Sequence, residues 1–215
     1  MKSYAVYCSG NASRVIRFFS SQVNRKRFKP QSIIYDGENE TVISFLDLYF
    51  FDNYLHIRLD SIPIEFSNKR NQYISNLILE NLLSRRIEYL ICFGGGILKR
   101  PLIDIYNKKI INFHPALLPS FKGLNAIDQA KEAGALIVGN TAHFIDEGID
   151  TGKIILQSAM NISESNNYED ILELQFPMLK IIFRDIIGAN ITLDEINSDI
   201  RGRKIPFIIT PTCAI

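Results

Sequence analysis

The sequence is poor in cysteine and in net charge, and it lacks any long apolar run. Its three cysteines, Cys8, Cys92 and Cys213, stand far apart in 215 residues and form no C-x-x-C pair. An odd, scattered set of this kind argues against a disulfide framework and a zinc site, and points to a reducing cytoplasm. The 24 basic and 23 acidic residues leave a formal net charge of +1. A near-neutral chain has no electrostatic footprint for nucleic acid, so none is expected as a partner. No apolar run approaches the ~20 residues needed to span a bilayer. Met1-Lys2-Ser3 leads into a short strand-like run and not into a signal-peptide hydrophobic region. No membrane partner is expected. Internal repeats, low-complexity tracts and linkers rich in Pro, Gly or Ser are absent as well.

What is present fits one α/β domain with a small appendage. Hydrophobic residues make up 47% of the chain, enough for a substantial core. Tyr4–Cys8, Ser32–Tyr35, Ile87–Phe93 and Ile110–Phe113 read as buried strands. Val138–Ile145 and Lys153–Gln157 read as further strands. Helical spacing marks Val15 to Phe19 after a cap at Ser13, and Tyr73 to Leu82 after a cap at Ser67. It also marks Pro101–Tyr106, Asn125–Ala133 closed by Gly134, and residues 168–187, where Pro177 begins a helix or kinks one. Thr41 to Ile64 is rich in aromatics and has mixed periodicity, so it receives no assignment. Within it the run Tyr49–Tyr54 is taken as core, with a dimer surface or a stacking platform as alternatives. Strands alternating with helices predict a mostly parallel, Rossmann-like α/β sheet with helices on both faces. Ligands of such sheets bind beyond the carboxyl ends of the strands, where the loops after Cys8, Phe93 and Phe113 open. The main domain is placed at residues 1–190, with 191–215 as a C-terminal extension; its tail from Ser198 to Ile215, with a strand-like run at Pro206–Thr210, is read as a small hairpin or a terminal strap.

Three places offer chemistry. Ser9-Gly10-Asn11-Ala12-Ser13 joins a strand to a helix, which presents backbone N–H groups to an anion such as phosphate or forms a plain βα turn. The triple glycine Gly94–Gly96 lets a backbone approach something closely or makes a tight turn. Most suggestive are Asn112 and His114, two apart at a strand end and so on one side of it. A carboxamide and a protonated imidazole side by side make an oxyanion site. Asp150, in a G-I-D-T-G turn, is a carboxylate that would favour the imidazolium and relay protons if brought near. With no Ser or Cys nucleophile beside them, the three suggest direct acyl transfer without a covalent enzyme intermediate. The same residues also suit a structural histidine and a turn-forming aspartate. His143 is read as supporting the site, Asp36 as a turn residue or a ribose contact, and Asp146 and Glu147 as a solvated turn whose backbone could line a pocket.

The segments N-F-H-P-A-L-L-P-S-F-K-G-L-N-A, G-N-T-A-H-F and D-T-G-K-I-I-L-Q resemble the 10-formyltetrahydrofolate-dependent formyltransferase family. On that resemblance the catalytic Asn, His and Asp fall on Asn112, His114 and Asp150, and a second histidine on His143. It implies a formyltransferase fold, 10-formyltetrahydrofolate as cosubstrate, no metal, and a small-molecule amine as acceptor. The folate would be held by Gly95, Gly96, Ile97, Leu98, His143, Phe144 and Glu147. The acceptor's phosphate would be held by Gly10, Asn11, Ala12, Ser13 and Arg14. Asn112 and protonated His114 would stabilise the tetrahedral oxyanion, with Asp150 assisting proton transfer to the departing folate nitrogen. The family's purine-pathway branch usually reads S-G-x-G-S-N at the phosphate loop, where this chain has Ala12 and Arg14. It usually reads G-F-M-R-I-L where this chain has Gly94-Gly95-Gly96-Ile97-Leu98, and the stretch Tyr35–Ile64 does not resemble it. The leading expectation is therefore N-formylation of a phosphorylated amine, in the manner of the purine branch. An amino-sugar nucleotide of surface-polysaccharide synthesis is the alternative acceptor. Formyltetrahydrofolate deformylase, which carries an extra N-terminal regulatory domain, is the lesser one. A non-catalytic folate-binding protein would not need all three residues. A homodimer is one assembly the sequence leaves open.

Overall fold

The computed structural model describes residues 1–94, 96–161, 168–192, 195–196 and 207–209. The chain divides into two compact units, Lys2–Ile111 and Asn112–Ile215, with Met1 joined to the latter.

The first unit is built on a parallel sheet. Strands β1 (Tyr4–Cys8), β2 (Ser32–Tyr35), β3 (Tyr54–His56) and β4 (Tyr89–Phe93) stand in the order β3-β2-β1-β4. Cys8 pairs with Tyr35 on one side and with Phe93 on the other, while Tyr35 pairs with His56. The carboxyl ends of all four strands therefore share one edge. Every residue of β1 is buried, as expected of a parallel strand covered on both faces. Helix α1 (Ser13–Ser20) buries Val15, Phe18 and Phe19. Its cap is Ala12, in the left-handed region at φ 43°, and Ser13 is its first residue. A short α2 (Gln22–Arg27) follows, with Ser21 accepting from the Asn24 amide.

The unassigned stretch contains helix α3 (Glu40–Phe50) and β3. Asn39 caps α3 by accepting from the Thr41 and Val42 amides. The aromatic run is not core as a whole. Phe50 is buried against Phe19, but Tyr49 is 43% and Phe51 76% exposed. Consecutive helical positions point about 100° apart, so a run of aromatics there cannot all face inward. Ser67 does not stand at a helix start: it lies in a 3-10 run, Ile64–Lys69, and helix α4 (Arg70–Ser84) begins only after that run. Helix α4 turns Ile74, Ile78 and Leu82 inward at successive i, i+4 positions. Helix α5 (Leu102–Ile105) follows Pro101 as expected.

Strand β5 (Ile110–His114) begins in the first unit and carries the chain into the second. There helix α6 (Ala126–Glu132) leads to an antiparallel hairpin of β6 (Ile137–Phe144) and β7 (Ile154–Asn161). Strand β8 (Phe207–Ile209), inside the expected C-terminal extension, pairs antiparallel with β7. Gly134 ends α6 at φ 67°, a left-handed closure that glycine adopts without strain. Helices α7 (Tyr168–Glu173) and α8 (Gln175–Ile182) follow, and a π turn over Phe183–Ile187 extends α8. Pro177 lies in the first turn of α8, where the missing N–H would have had no helical partner. Ile127, Ala130, Val138, Met160, Ile171 and Leu174 form a core cluster of this unit.

Candidate active site

Strand alternation puts Asn112 and His114 on one side of β5, while the alternate residues Ile111 and Phe113 are buried. The β6–β7 register shifts between Ala142 and His143. Such an irregularity re-aims a strand side chain, and His143 arrives beside Asn112. The Asn112 Nδ2 atom lies 3.3 Å from His143 Nε2. Asp150 enters from the turn after β6 and bridges the two imidazoles. Its Oδ2 lies 3.3 Å from His114 Nδ1 and its Oδ1 3.5 Å from His143 Nε2. The sequence-expected residues Asn112, His114, His143 and Asp150 thus form one cluster, with His114 and His143 almost wholly buried.

The Asp150 turn is held shut by its own side chains. Thr151 Oγ1 donates to Asp146 Oδ1 at 2.6 Å, and the Gly148 amide donates to the same oxygen at 3.1 Å. Asp146 is therefore more than a solvated turn residue. A Cβ on Gly152 would fall 1.7 Å from the Phe144 carbonyl oxygen, so only glycine allows this closure. Asp150 itself takes a left-handed φ of 51°. Strain of this kind persists where surrounding contacts over-determine the conformation.

Two backbone groups complete the cluster, and sequence reasoning missed both. The Gly123 amide donates to Asp150 Oδ2 at 2.8 Å, and His114 Nε2 lies 2.8 Å from the Phe121 carbonyl oxygen. They belong to the P-S-F-K-G segment, whose only local hint was its glycine. A carbonyl oxygen only accepts, so His114 donates through Nε2. Its Nδ1 faces a carboxylate, so a second proton there would be donated to Asp150. Both ring nitrogens facing acceptors is the hydrogen-bond pattern of an imidazolium. His143 donates through Nδ1 to the Phe144 carbonyl at 2.9 Å. Its Nε2 accepts from Asn112 when the ring is neutral and donates to Asp150 when it is charged.

Burial pushes the Asp150 carboxyl up. The hydrogen bonds from His143 and the Gly123 amide, together with the positive charge of the two imidazoles, outweigh burial and hold it below the ordinary carboxylate range. The arrangement can keep an anion beside two proton carriers and a carboxamide donor, which is what stabilising and discharging a tetrahedral oxyanion requires. Among the described residues no group of three or more His, Cys, Asp or Glu has the geometry to hold a metal ion.

The other sequence-expected residues fall in both units. Phe144 is buried and Glu147 exposed in the second unit. In the first unit, Leu98 is buried, Ile97 is 47% exposed, and Gly96 packs over the hydroxyl of Tyr7. Gly95 lies outside the described residues. The turn after β1 has Gly10 at φ 60° and Ala12 at φ 43°, and Asn11 Oδ1 accepts from the Ser13 amide at 3.3 Å. Arg14 braces the adjacent loop, donating to the Phe93 carbonyl at 2.9 Å with its guanidinium 5.2 Å from the centre of the Phe93 ring.

The formyl transferase family matches residues 58–175. A phosphoribosylglycinamide formyltransferase of Bacillus subtilis is 31% identical over 201 residues, covering 88% of this chain and 97% of that protein. The human trifunctional purine biosynthetic protein adenosine-3 is 42% identical over 86 residues, 39% of this chain and 8% of that protein. The crystal structure of phosphoribosylglycinamide formyltransferase from Streptococcus pneumoniae shares the fold, with a TM-score of 0.71 at 24% identity over 87% of this chain and 99% of that one. Matched over more than half its length by the family and along nearly the whole of a curated relative, the chain belongs to the formyl transferase family.

Proposed function

We propose that this chain moves a formyl group from 10-formyltetrahydrofolate to the primary amine of a phosphorylated small molecule, with phosphoribosylglycinamide as acceptor. The observation that carries this reading is the Asp150 carboxylate bridging His114 and His143 beside Asn112. The acceptor is taken from the name of the Bacillus subtilis relative. The amine attacks the formyl carbon, a C–N bond forms, and the formyl oxygen becomes an oxyanion. Asn112 has a second amide hydrogen to offer it. The Phe121 carbonyl marks the direction in which His114 presents its Nε2 proton, and an oxyanion taking that place would receive the same hydrogen bond. The bond from the formyl carbon to the folate nitrogen then breaks. The proton lost by the attacking amine reaches that nitrogen, with Asp150 and its imidazoles as the relay.

We assign the turn Gly10–Arg14 to the acceptor's phosphate and residues 95–98, with His143, Phe144 and Glu147, to the folate. The left-handed turn and the helix N-terminus after it support the phosphate assignment. Residues 1–190 are read as the catalytic domain. A cytoplasmic location is supported by the free, buried thiols of Cys8 and Cys92 and by the absence, among the described residues, of a helix long and apolar enough to cross a membrane.

Tetrahydrofolate release tests the reading, run with phosphoribosylglycinamide, with amino-sugar nucleotides and with no acceptor. Turnover that requires phosphoribosylglycinamide supports it. Turnover only with an amino-sugar nucleotide overturns the acceptor, and equal release without any amine makes the chain a deformylase.

A further inference from the structure

Outside the histidine–aspartate cluster, two buried tyrosines stand near the carboxyl ends of neighbouring strands in the first unit. Tyr7 is 1% exposed and Tyr35 is fully buried. Each phenol engages a different glycine turn. Tyr35 Oη donates to the Gly10 carbonyl at 2.7 Å and accepts from the Asn39 amide at 3.0 Å. A Cβ on Gly37 would fall 2.4 Å from that same oxygen. Tyr7 Oη donates to Asp36 Oδ2 at 2.8 Å. A Cβ on Gly94 would lie 2.6 Å from Tyr7 Cε1, and one on Gly96 would lie 2.8 Å from Tyr7 Oη. Gly94 and Gly96 thus lie against the face and the hydroxyl of one immobilised phenol, and their lack of side chains is what lets the backbone come so close.

We propose that Tyr7 and Tyr35 are positioning residues for two different substrates, Tyr7 shaping the Gly94 and Gly96 turn for folate and Tyr35 holding the Gly10 turn for the acceptor's phosphate. The inference rests on the assignment of these turns to those substrates. Neither tyrosine is a catalytic residue, because each acts through backbone that it holds. Asp36, the first carboxylate in the chain, is buried at the end of β2 and fixes the Tyr7 hydroxyl. A ring held at both its face and its tip fixes how closely Gly94 and Gly96 lie against it, and preorganisation of this kind shows in binding rather than in the chemical step.

The test uses the full chain and its Tyr7→Phe and Tyr35→Phe variants. KM is measured for each substrate, and binding of 5-formyltetrahydrofolate and of inorganic phosphate is measured by calorimetry. Tyr7→Phe raises the folate KM and Kd by roughly five- to tenfold, the effect of one lost hydrogen bond, with kcat and the acceptor KM unchanged. Tyr35→Phe weakens the phosphate and the acceptor by a similar factor and spares the folate. Gly96→Ala weakens folate alone, and adding Tyr7→Phe restores part of the loss, because the oxygen it would meet is gone. The control is Gly94→Ala, whose added methyl meets ring carbons that phenylalanine keeps, so Tyr7→Phe does not rescue it. Equal effects of the two tyrosine variants on both substrates, no effect of either, or failure of the Gly96→Ala rescue overturns the inference. Calorimetry separates this from the functional reading: selective binding defects in a protein that formylates no amine leave the inference standing and overturn the reaction. A wild-type protein that binds neither probe overturns the inference as well.

Discussion

Asp36 and Asp150 are both largely buried, and their surroundings push them in opposite directions. For Asp150, hydrogen bonds and two imidazoles outweigh burial, so its folded-state value lies below the ordinary one. Folding therefore favours its carboxylate. That stabilisation is present above the unfolded value of about 3.9 and is lost as pH falls through the lower folded value. For Asp36, burial dominates over the Tyr7 hydrogen bond and the Arg70 charge, and among the described residues its Oδ1 has no hydrogen-bond partner. Its folded-state value is raised, so folding favours the protonated form. Its contribution is full below about 3.9 and is lost as pH rises through the raised value. Urea midpoints measured against pH check both signs. Asp36→Asn keeps an acceptor for Tyr7 and flattens the loss of stability on going upward from about pH 4. Asp150→Asn flattens the loss below it. A wild-type slope in either variant contradicts the corresponding assignment. The grouping of Asn112, His114 and Asp150 was expected from the family resemblance, and the structure brings the three side chains into one cluster. The Gly123 amide and the Phe121 carbonyl were not expected, because a backbone group leaves no mark in a sequence.

At the scale of elements, the β6–β7 hairpin fixes the loop that follows His114. Thr141 and Gln157 are cross-strand partners. Thr141 Oγ1 donates to the Ala116 carbonyl at 2.7 Å and accepts from the Leu118 amide and from Gln157 Nε2, each at 3.0 Å. Gln157 Nε2 also donates to the Leu118 carbonyl at 3.0 Å. A Cβ on Gly139, one pleat back, would lie 1.9 Å from the Ser158 carbonyl oxygen and 2.9 Å from Leu117 Cδ2. Thr141→Val keeps the shape and strands the Leu118 amide. It costs about 1–3 kcal/mol of stability in urea denaturation, and it lowers kcat more than either KM, since the loop it frees carries the carbonyl that orients His114. Thr141→Ser restores both. An unchanged midpoint would show that the loop is held by other contacts. Strands β1, β2 and β4 were readable because parallel strands buried on both faces are largely apolar. Helix α3 and strand β3 were not, because Tyr49 and Phe51 face outward beside the buried Phe50. Arg25 sets its guanidinium 3.9 Å from the centre of the exposed Tyr49 ring. That neighbour comes from α2, which no local pattern reveals.

For the whole molecule, the family and the fold class were legible in the sequence, because the stretch Asn112–Gln157 packs the end of β5, the loop after it and the β6–β7 hairpin into contiguous residues. The acceptor is less legible. The phosphate turn has Ala12 in a left-handed conformation and Arg14 committed in part to Phe93, and acceptor choice depends on such local geometry as much as on residue type. The central claim, that Asp150 bridging His114 and His143 drives formyl transfer, is tested most directly by tetrahydrofolate release from 10-formyltetrahydrofolate with phosphoribosylglycinamide, comparing the wild-type chain with Asp150→Asn. An asparagine still accepts from the Gly123 amide, so the turn and the fold survive, while the charge between the imidazoles and the stabilisation it gives at neutral pH are gone. The account predicts amine-dependent turnover in the wild type and a loss of roughly 10²–10⁴-fold in kcat in the variant. A correctly folded Asp150→Asn protein with wild-type turnover would contradict it.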